Sequence, residues 1–180
     1  MSDDFHFGKN FMSQNPLSEE QITSPEECEA LAALAREIWE EWFTPIIGAN
    51  QVAYMLEKFQ SATAIWSQIQ DGMRYFVVNH KQNPVGYYAI KKEETRLFLS
   101  KIYLKRSMRG IGAGAWMLSE CAKKAKAENL SSIYLTVNKG NEKAIRFYER
   151  YQFKKMISLE KDIGRGFIMN DWLMEKSLED

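Results

Sequence analysis

The chain has 180 residues, with 45% apolar and 27% charged side chains, the proportions of one soluble globular domain large enough for a full core. Lys plus Arg and Asp plus Glu number 24 each, so no global field directs the protein to nucleic acid or to an acidic membrane surface. No apolar run reaches the roughly 18 residues of a membrane span, no signal-peptide pattern opens the chain, and two isolated cysteines, Cys28 and Cys121, fit reduced thiols in a cytoplasmic protein better than a disulfide or a metal site.

Residues 1–20 are polar and aperiodic and read as an N-terminal extension, with a short strand near Gln21–Ile22; residues 21–180 read as the folded domain. Ser24-Pro25-Glu26-Glu27 is a helix start, with Ser as N-cap, Pro at the first helical position and Glu three residues after the cap. Leu31, Leu34, Ala35, Ile38 and Trp42 follow as one apolar stripe, and Thr44-Pro45 is the expected end of that helix. Gln51–Phe59 and Thr63–Ile69 read as two further helices. This region is dense in aromatics, which favours core but leaves material for a ligand wall.

After Asp71-Gly72 the period changes. Arg74–Asn79 and Val85–Ile90 are β-branched and aromatic runs flanking an expected turn at Lys81-Gln82-Asn83-Pro84, and Glu93-Glu94 leads through a second turn into a third strand, Leu97–Leu104. A basic, glycine-rich turn comes next, then a helix with Leu118, Cys121, Ala122 and Ala125 inward and Asn129 at its end. Ile133–Val137 reads as a strand and Asn141–Tyr151 as a helix. Phe153–Leu159 and Gly166–Met174 read as a closing antiparallel pair across Lys161–Arg165. The order is that of one α/β domain.

The glycine turn carries the chemistry. Gly110, Gly112 and Gly114 lie between a strand and a helix, where bare N–H groups and the positive end of the helix dipole suit a phosphate. Gly110, Gly112 and Ala115 formally fit a dinucleotide fingerprint, but the strand before them ends a meander and the next ends Leu135-Thr136-Val137-Asn138, with no acid placed for a ribose. A P-loop is excluded because no Lys-Ser or Lys-Thr follows. Close helix–strand packing is the plain structural alternative.

Arg109-Gly110-Ile111-Gly112-Ala113-Gly114 matches the R/Q-x-x-G-x-G/A signature of the GNAT superfamily of N-acetyltransferases, and Asn138, Asn141, Ala144 and Tyr148 in VNKGNEKAIRFYERYQF resemble the family's second motif. The resemblance covers Leu97–Phe153, and the ending GRGFIMNDWLMEKSL is similar to the last hairpin of bacterial polyamine-type members. It implies a mixed, mostly antiparallel sheet of six to seven strands with helices on both faces, acetyl-CoA as co-substrate and no metal. It further implies that the pyrophosphate sits on Arg109, Gly110, Ile111, Gly112, Ala113 and Gly114, with Arg106 and Arg109 adding charge. The pantetheine arm would pair with Ile102, Tyr103 and Leu104, and the Leu104 N–H would stabilise the oxyanion. Tyr148 would be the general acid, and Asn138 and Asn141 would contact the cofactor.

Two departures stand out. Leu97–Leu104 has no carboxylate where many relatives place a general base, offering Ser100 and Lys101 instead, while Glu93 and Glu94 read as solvated turn; the base is unassigned. Gln152 also replaces the glycine usual before the last aromatic of the second motif. The expected reaction is direct acetyl transfer to a small-molecule primary amine such as a polyamine, drawn by Glu40, Glu41 or Asp171. A homodimer is the protein partner entertained, and neither nucleic acid nor membrane is expected. The alternatives are acetylation of a protein N-terminus or lysine, and a non-catalytic acyl-CoA-binding module.

Overall fold

The β-branched and aromatic runs form strands, and in the computed structural model seven of them, numbered β1 to β7 in chain order, assemble one sheet in the order β1-β2-β3-β4-β5-β7-β6. The structure describes residues 17–179. Among these, no helix is long and apolar enough to cross a membrane. The expected N-terminal extension lies mostly outside the described residues. The strand anticipated at Gln21–Ile22 is β1, Leu17–Gln21, antiparallel to β2, Arg74–His80, with Leu17 opposite His80. Contacts divide the chain into two units. One holds the residues up to Ala89 with Lys101–Ser119, and the other holds Ile90–Ser100 with the residues from Glu120 onward.

In the first unit, helix α1 (Pro25–Ile47) starts as the sequence dictates. Ser24 Oγ accepts from the Glu27 N–H, and the Glu27 carboxylate accepts from the Ser24 and Thr23 N–H groups at 3.2 and 2.7 Å. Those backbone donors, Thr23 first, hold the Glu27 carboxyl below its usual range. The helix does not stop at Pro45, as the sequence suggested, but carries it inside its last turn. A proline there forfeits one bond, to the Glu41 carbonyl, and Gly48 N–H closes the turn on Thr44 O at 3.0 Å. The buried stripe runs through Cys28, Leu31, Leu34, Ala35 and Ile38 to Trp39 and Phe43, leaving the expected Trp42 only half-buried. It packs on Tyr75, Tyr87 and Ala89 of the sheet and on Ile65 of α3. Helices α2 (Ala49–Gln60) and α3 (Ala62–Gln70) follow, α3 capped by Ser61 Oγ on the Ala64 N–H.

Strands β2 and β3 (Asn83–Glu93) turn on two residues only, Lys81 and Gln82, with φ of 51° and 64°. This is the primed geometry whose twist matches a hairpin. The four-residue turn anticipated there is thus shorter, and Asn83 and Pro84 belong to the strand. β4 (Arg96–Leu104) completes the meander and runs parallel to β5 (Ser132–Asn138), with Arg96–Phe98 opposite Ser132–Tyr134.

The second unit contains the end of α4 (Ala113–Ala127), then β5, α5 (Glu142–Arg150), β6 (Lys154–Gly164) and β7 (Phe167–Ser177). The β6–β7 turn is Arg165-Gly166, with φ of 54° and 77°, rather than the Lys161–Arg165 loop expected. Both helices end in the same motif. After α4, Leu130 N–H reaches back to Ala125 O and Asn129 N–H to Lys126 O, both 3.0 Å, with Asn129 at φ 56°. After α5, Phe153 N–H donates to Tyr148 O and Gln152 N–H to Glu149 O, both 3.0 Å, while the Phe153 and Tyr148 rings meet at 5.7 Å. Gln152 therefore occupies a left-handed position, φ 69°, that a glycine would take without strain. Gln152→Gly is expected to stabilise the protein by about 0.5–1 kcal/mol, the left-handed penalty relieved less the greater freedom of glycine in the unfolded chain. A higher urea midpoint at unchanged slope is the reading that checks it.

Candidate functional site

Beyond Leu104 the chain makes a 3₁₀ turn, Arg106–Met108, in which Met108 N–H donates to Lys105 O and Arg109 N–H to Arg106 O. Gly110 and Gly112 then take φ of 78° and 93°, conformations that reverse the chain into α4 and that L side chains adopt only with strain. A Cβ at Gly110 would meet no atom within 4 Å, so the demand there is conformational and the turn is open on that side. The first helical bond runs from Trp116 N–H to Gly112 O. The N–H groups of Gly110, Ile111, Gly112, Ala113 and Gly114 lie in this turn and at the start of α4, ahead of that first helical bond. Five donors at a helix N-terminus, with the dipole behind them, fit a ligand that carries several anionic oxygens.

Arg109 is turned elsewhere. Its Nε and Nη2 donate to Leu104 O at 2.9 and 2.7 Å, its Nη1 meets Glu41 at 3.3 Å, and its guanidinium lies 4.2 Å over the Trp42 ring. Backbone and side chain alike are thus engaged within the protein. The arginine instead ties the end of β4 to α1. Arg106 stays exposed beside the turn.

Backbone direction along β4 sorts the three pantetheine residues. Lys105 N–H donates to Val85 O at 2.8 Å, so by alternation Tyr103 directs its backbone to β3, whereas Ile102 and Leu104 direct theirs away from it. A Cβ at Gly86 would stand 2.5 Å from Tyr103 O, the close approach that requires glycine in β3. The Tyr103 ring packs against Trp39, Phe43 and Tyr87 at 5.3, 5.8 and 5.3 Å. The Tyr103 ring is thus part of the packing, while the backbone groups of Ile102 and Leu104 face away from β3.

Beneath the three early helices lie polar groups that no motif flagged. Trp39 Nε1 donates to Tyr87 Oη, which donates to Gln60 Oε1. Tyr75 Oη and Lys101 Nζ both donate to Gln68 Oε1 at 2.8 Å. Polar residues inside helical patterns read as solvated faces, so only tertiary packing reveals Gln60 and Gln68 and the burial of Lys101 on β4. Of the acids thought to attract an acceptor, Glu40 pairs with Arg36 and Glu41 with Arg109.

In the second unit Asn141 caps α5, its Oδ1 accepting from Ala144 N–H at 3.3 Å. One turn further, Tyr148 is buried, its ring against Phe147 at 5.4 Å and Phe153 at 5.7 Å. Burial, reinforced by Cys121, pushes its phenol well above the ordinary tyrosine range, so it stays a neutral O–H donor at physiological pH. Among the described residues its hydroxyl makes no hydrogen bond. Asn138 is engaged at both ends: its Oδ1 accepts from Gly140 N–H at 2.9 Å, and its side chain bonds to Asp171, its partner across the β5–β7 ladder. Burial pushes the Asp171 carboxyl up to about 6 against the pull of Lys139, Thr136 and Asn138. Glu93 is not a solvated turn residue but accepts from Tyr134 Oη, over whose ring Arg96 lies at 4.5 Å.

An uncharacterised N-acetyltransferase of Mycobacterium tuberculosis strain H37Rv is 26% identical over 130 residues, covering 71% of this chain and 83% of that protein. The PaiA N-acetyltransferase of Thermoplasma acidophilum, solved in complex with coenzyme A, superposes with a TM-score of 0.71 at 22% identity over 89% of this chain and 99% of its own. A GCN5-related N-acetyltransferase of Rhodopseudomonas palustris gives 0.75 at 15% identity, over 89% and 95%. The sequence profile of the Acetyltransferase (GNAT) family matches residues 31–153, which takes in the glycine turn, β5 and Tyr148. The chain therefore belongs to the GNAT family, as an N-acetyltransferase that uses acetyl-CoA.

Proposed function

We propose that this enzyme transfers acetyl directly to a primary amine on a small molecule of the polyamine type. The observation that carries the donor side is the row of N–H groups from Gly110 to Gly114 at the start of α4, which offers the acetyl-CoA pyrophosphate several hydrogen bonds and a helix dipole. When bound, acetyl-CoA supplies an activated thioester. Ile102 offers outward-facing backbone groups to the pantetheine arm, and Leu104, whose carbonyl is held by Arg109, offers its N–H as the proposed oxyanion donor. Asn141 keeps its cap through Oδ1 and has its amide nitrogen for the cofactor. By the resemblance of the second motif, Tyr148 donates its hydroxyl proton or a hydrogen bond to the leaving thiolate, whose thiol has a pKa of about 8.5. Both cysteines are buried and outside the two motifs, which supports direct transfer over an acetyl-cysteine route.

The acceptor assignment rests on the closing hairpin, whose sequence is similar to polyamine-type members, and on Asp171, a buried carboxylate within it. Purified protein with acetyl-CoA is expected to release CoA thiol faster when a polyamine is added than when an amino acid or an aminoglycoside is added. No stimulation by any of the three classes removes the small-amine reading, and CoA binding without turnover supports the binding module instead.

A further inference from the structure

We propose that the cavity between α1 and the end of α2 is a binding site for a free amino acid with a small apolar side chain. This site is independent of the donor and acceptor groups proposed above. The cavity measures about 390 Å³ and opens between Ala32, Ala33 and Arg36 of α1 and Leu56, Glu57 and Gln60 of α2. Small-molecule sites begin at about 300 Å³. It lies further back along α1 than Glu41 and Trp42, which meet Arg109 at the end of β4.

Gln60 gives the cavity a fixed polar wall. It is only 3% exposed, yet it lines the cavity. The Trp39 indole only donates, so Tyr87 Oη accepts its N–H at 3.2 Å and places its own proton on Gln60 Oε1 at 3.1 Å. That chain fixes the amide, with its oxygen toward Tyr87 and its NH₂ away from it. Gln68 uses both ends of its amide inside the protein, whereas Gln60 uses only its oxygen among the described residues. A buried NH₂ without an acceptor is costly, and a ligand oxygen in the cavity answers it.

The neighbours extend this donor set. Ser61 also lines the cavity; its Oγ accepts from Ala64 N–H at 3.3 Å as the N-cap of α3. Its O–H is left to donate, and the positive end of that helix stands at the wall. The exposed Arg36 meets Glu40 at 3.4 Å, a surface pair worth little and readily exchanged for a ligand. Together these groups suit a carboxylate. Glu57 brings the opposite charge, and a carboxylate has lone pairs for an ammonium beside the contacts it already makes. Ala32, Ala33 and Leu56 add only hydrocarbon side chains. A carboxylate, an ammonium and a short hydrocarbon on one small frame make an amino acid such as valine. A molecule with either charge alone leaves one wall unanswered.

The test follows the amide signals of the full chain by nuclear magnetic resonance as L-valine, isovalerate or isobutylamine is added, with CoA binding measured in parallel. Valine is expected to shift the Gln60 side-chain NH₂ pair saturably, with a Kd of about 1 mM or below, at least about tenfold tighter than either singly charged probe. Arg36→Gln and Ala33→Leu, both at exposed helical positions, are expected to weaken valine at least about tenfold with the melting transition and CoA affinity unchanged. No saturable shift at Gln60 means that the cavity holds water only and overturns the inference. Equal binding of isovalerate or isobutylamine, or full valine affinity in both variants, overturns it as well. CoA binding retained in any of these cases leaves the proposed function standing, and valine binding without CoA binding does the reverse.

Discussion

Tyr148→Phe is expected to lower turnover of the identified acceptor by about 10²–10³-fold with CoA affinity essentially unchanged. The substitution removes one hydroxyl from a ring held by Phe147, by Phe153 and by the paired hydrogen bonds that end α5, none of which involves that hydroxyl. Folding should therefore be preserved. What is lost is a donor toward the departing sulfur, where negative charge develops in the transition state. Because burial keeps the Tyr148 phenol above its ordinary pKa, the donor is present throughout the physiological range, and its ionisation should add no alkaline limb to the rate profile below pH 10. Steady-state kinetics together with calorimetry separate the two terms. Full turnover in the phenylalanine variant would remove Tyr148 from the chemistry and leave it as packing.

Gly112→Asp should act on the other side of the reaction, weakening CoA binding about a hundredfold, or about 2.8 kcal/mol. Gly112 stands at the N-cap of α4, where its carbonyl takes the first helical bond. A carboxylate there competes for the N–H groups offered to phosphate and repels the pyrophosphate as well. Aspartate is also a favoured N-cap, which offsets much of the strain at φ 93°, so stability should change by no more than about 1 kcal/mol. A fall in affinity without a fall in the melting transition distinguishes loss of the cradle from loss of the fold.

The features legible in the chain alone are those set by neighbouring residues. The Ser24–Glu27 cap, the glycine turn and the Asn141–Tyr148 helix are each built within one short segment, and each is found where the residues place it. The misread features depend on what the segment meets in three dimensions. Lys81-Gln82 forms a primed turn without glycine or asparagine because the flanking strands impose their twist. Pro45 stays helical at the cost of the one bond to the Glu41 carbonyl, because only Ile46 and Ile47 follow it and Gly48 N–H closes the turn on Thr44 O. The contacts of the Arg109 side chain, with the Leu104 carbonyl, Glu41 and Trp42, are likewise invisible in its own segment. Gln60, Gln68 and Lys101 are polar letters in amphipathic patterns, and only the stacking of three helices over β2, β3 and β4 makes them interior. A strand-borne carboxylate was missing from the sequence, and the structure gives Lys101 a buried setting on that strand.

On the proposed function, Gly110–Gly114 holds the pyrophosphate of acetyl-CoA, and amide-resolved nuclear magnetic resonance during a CoA titration reads that contact residue by residue. The N–H signals of Gly110, Ile111, Gly112, Ala113 and Gly114 are expected to move most and to saturate together with the calorimetric isotherm, while pantetheine, which lacks the pyrophosphate, leaves them in place. Saturable CoA binding that shifts amides elsewhere and leaves these five unmoved would contradict it.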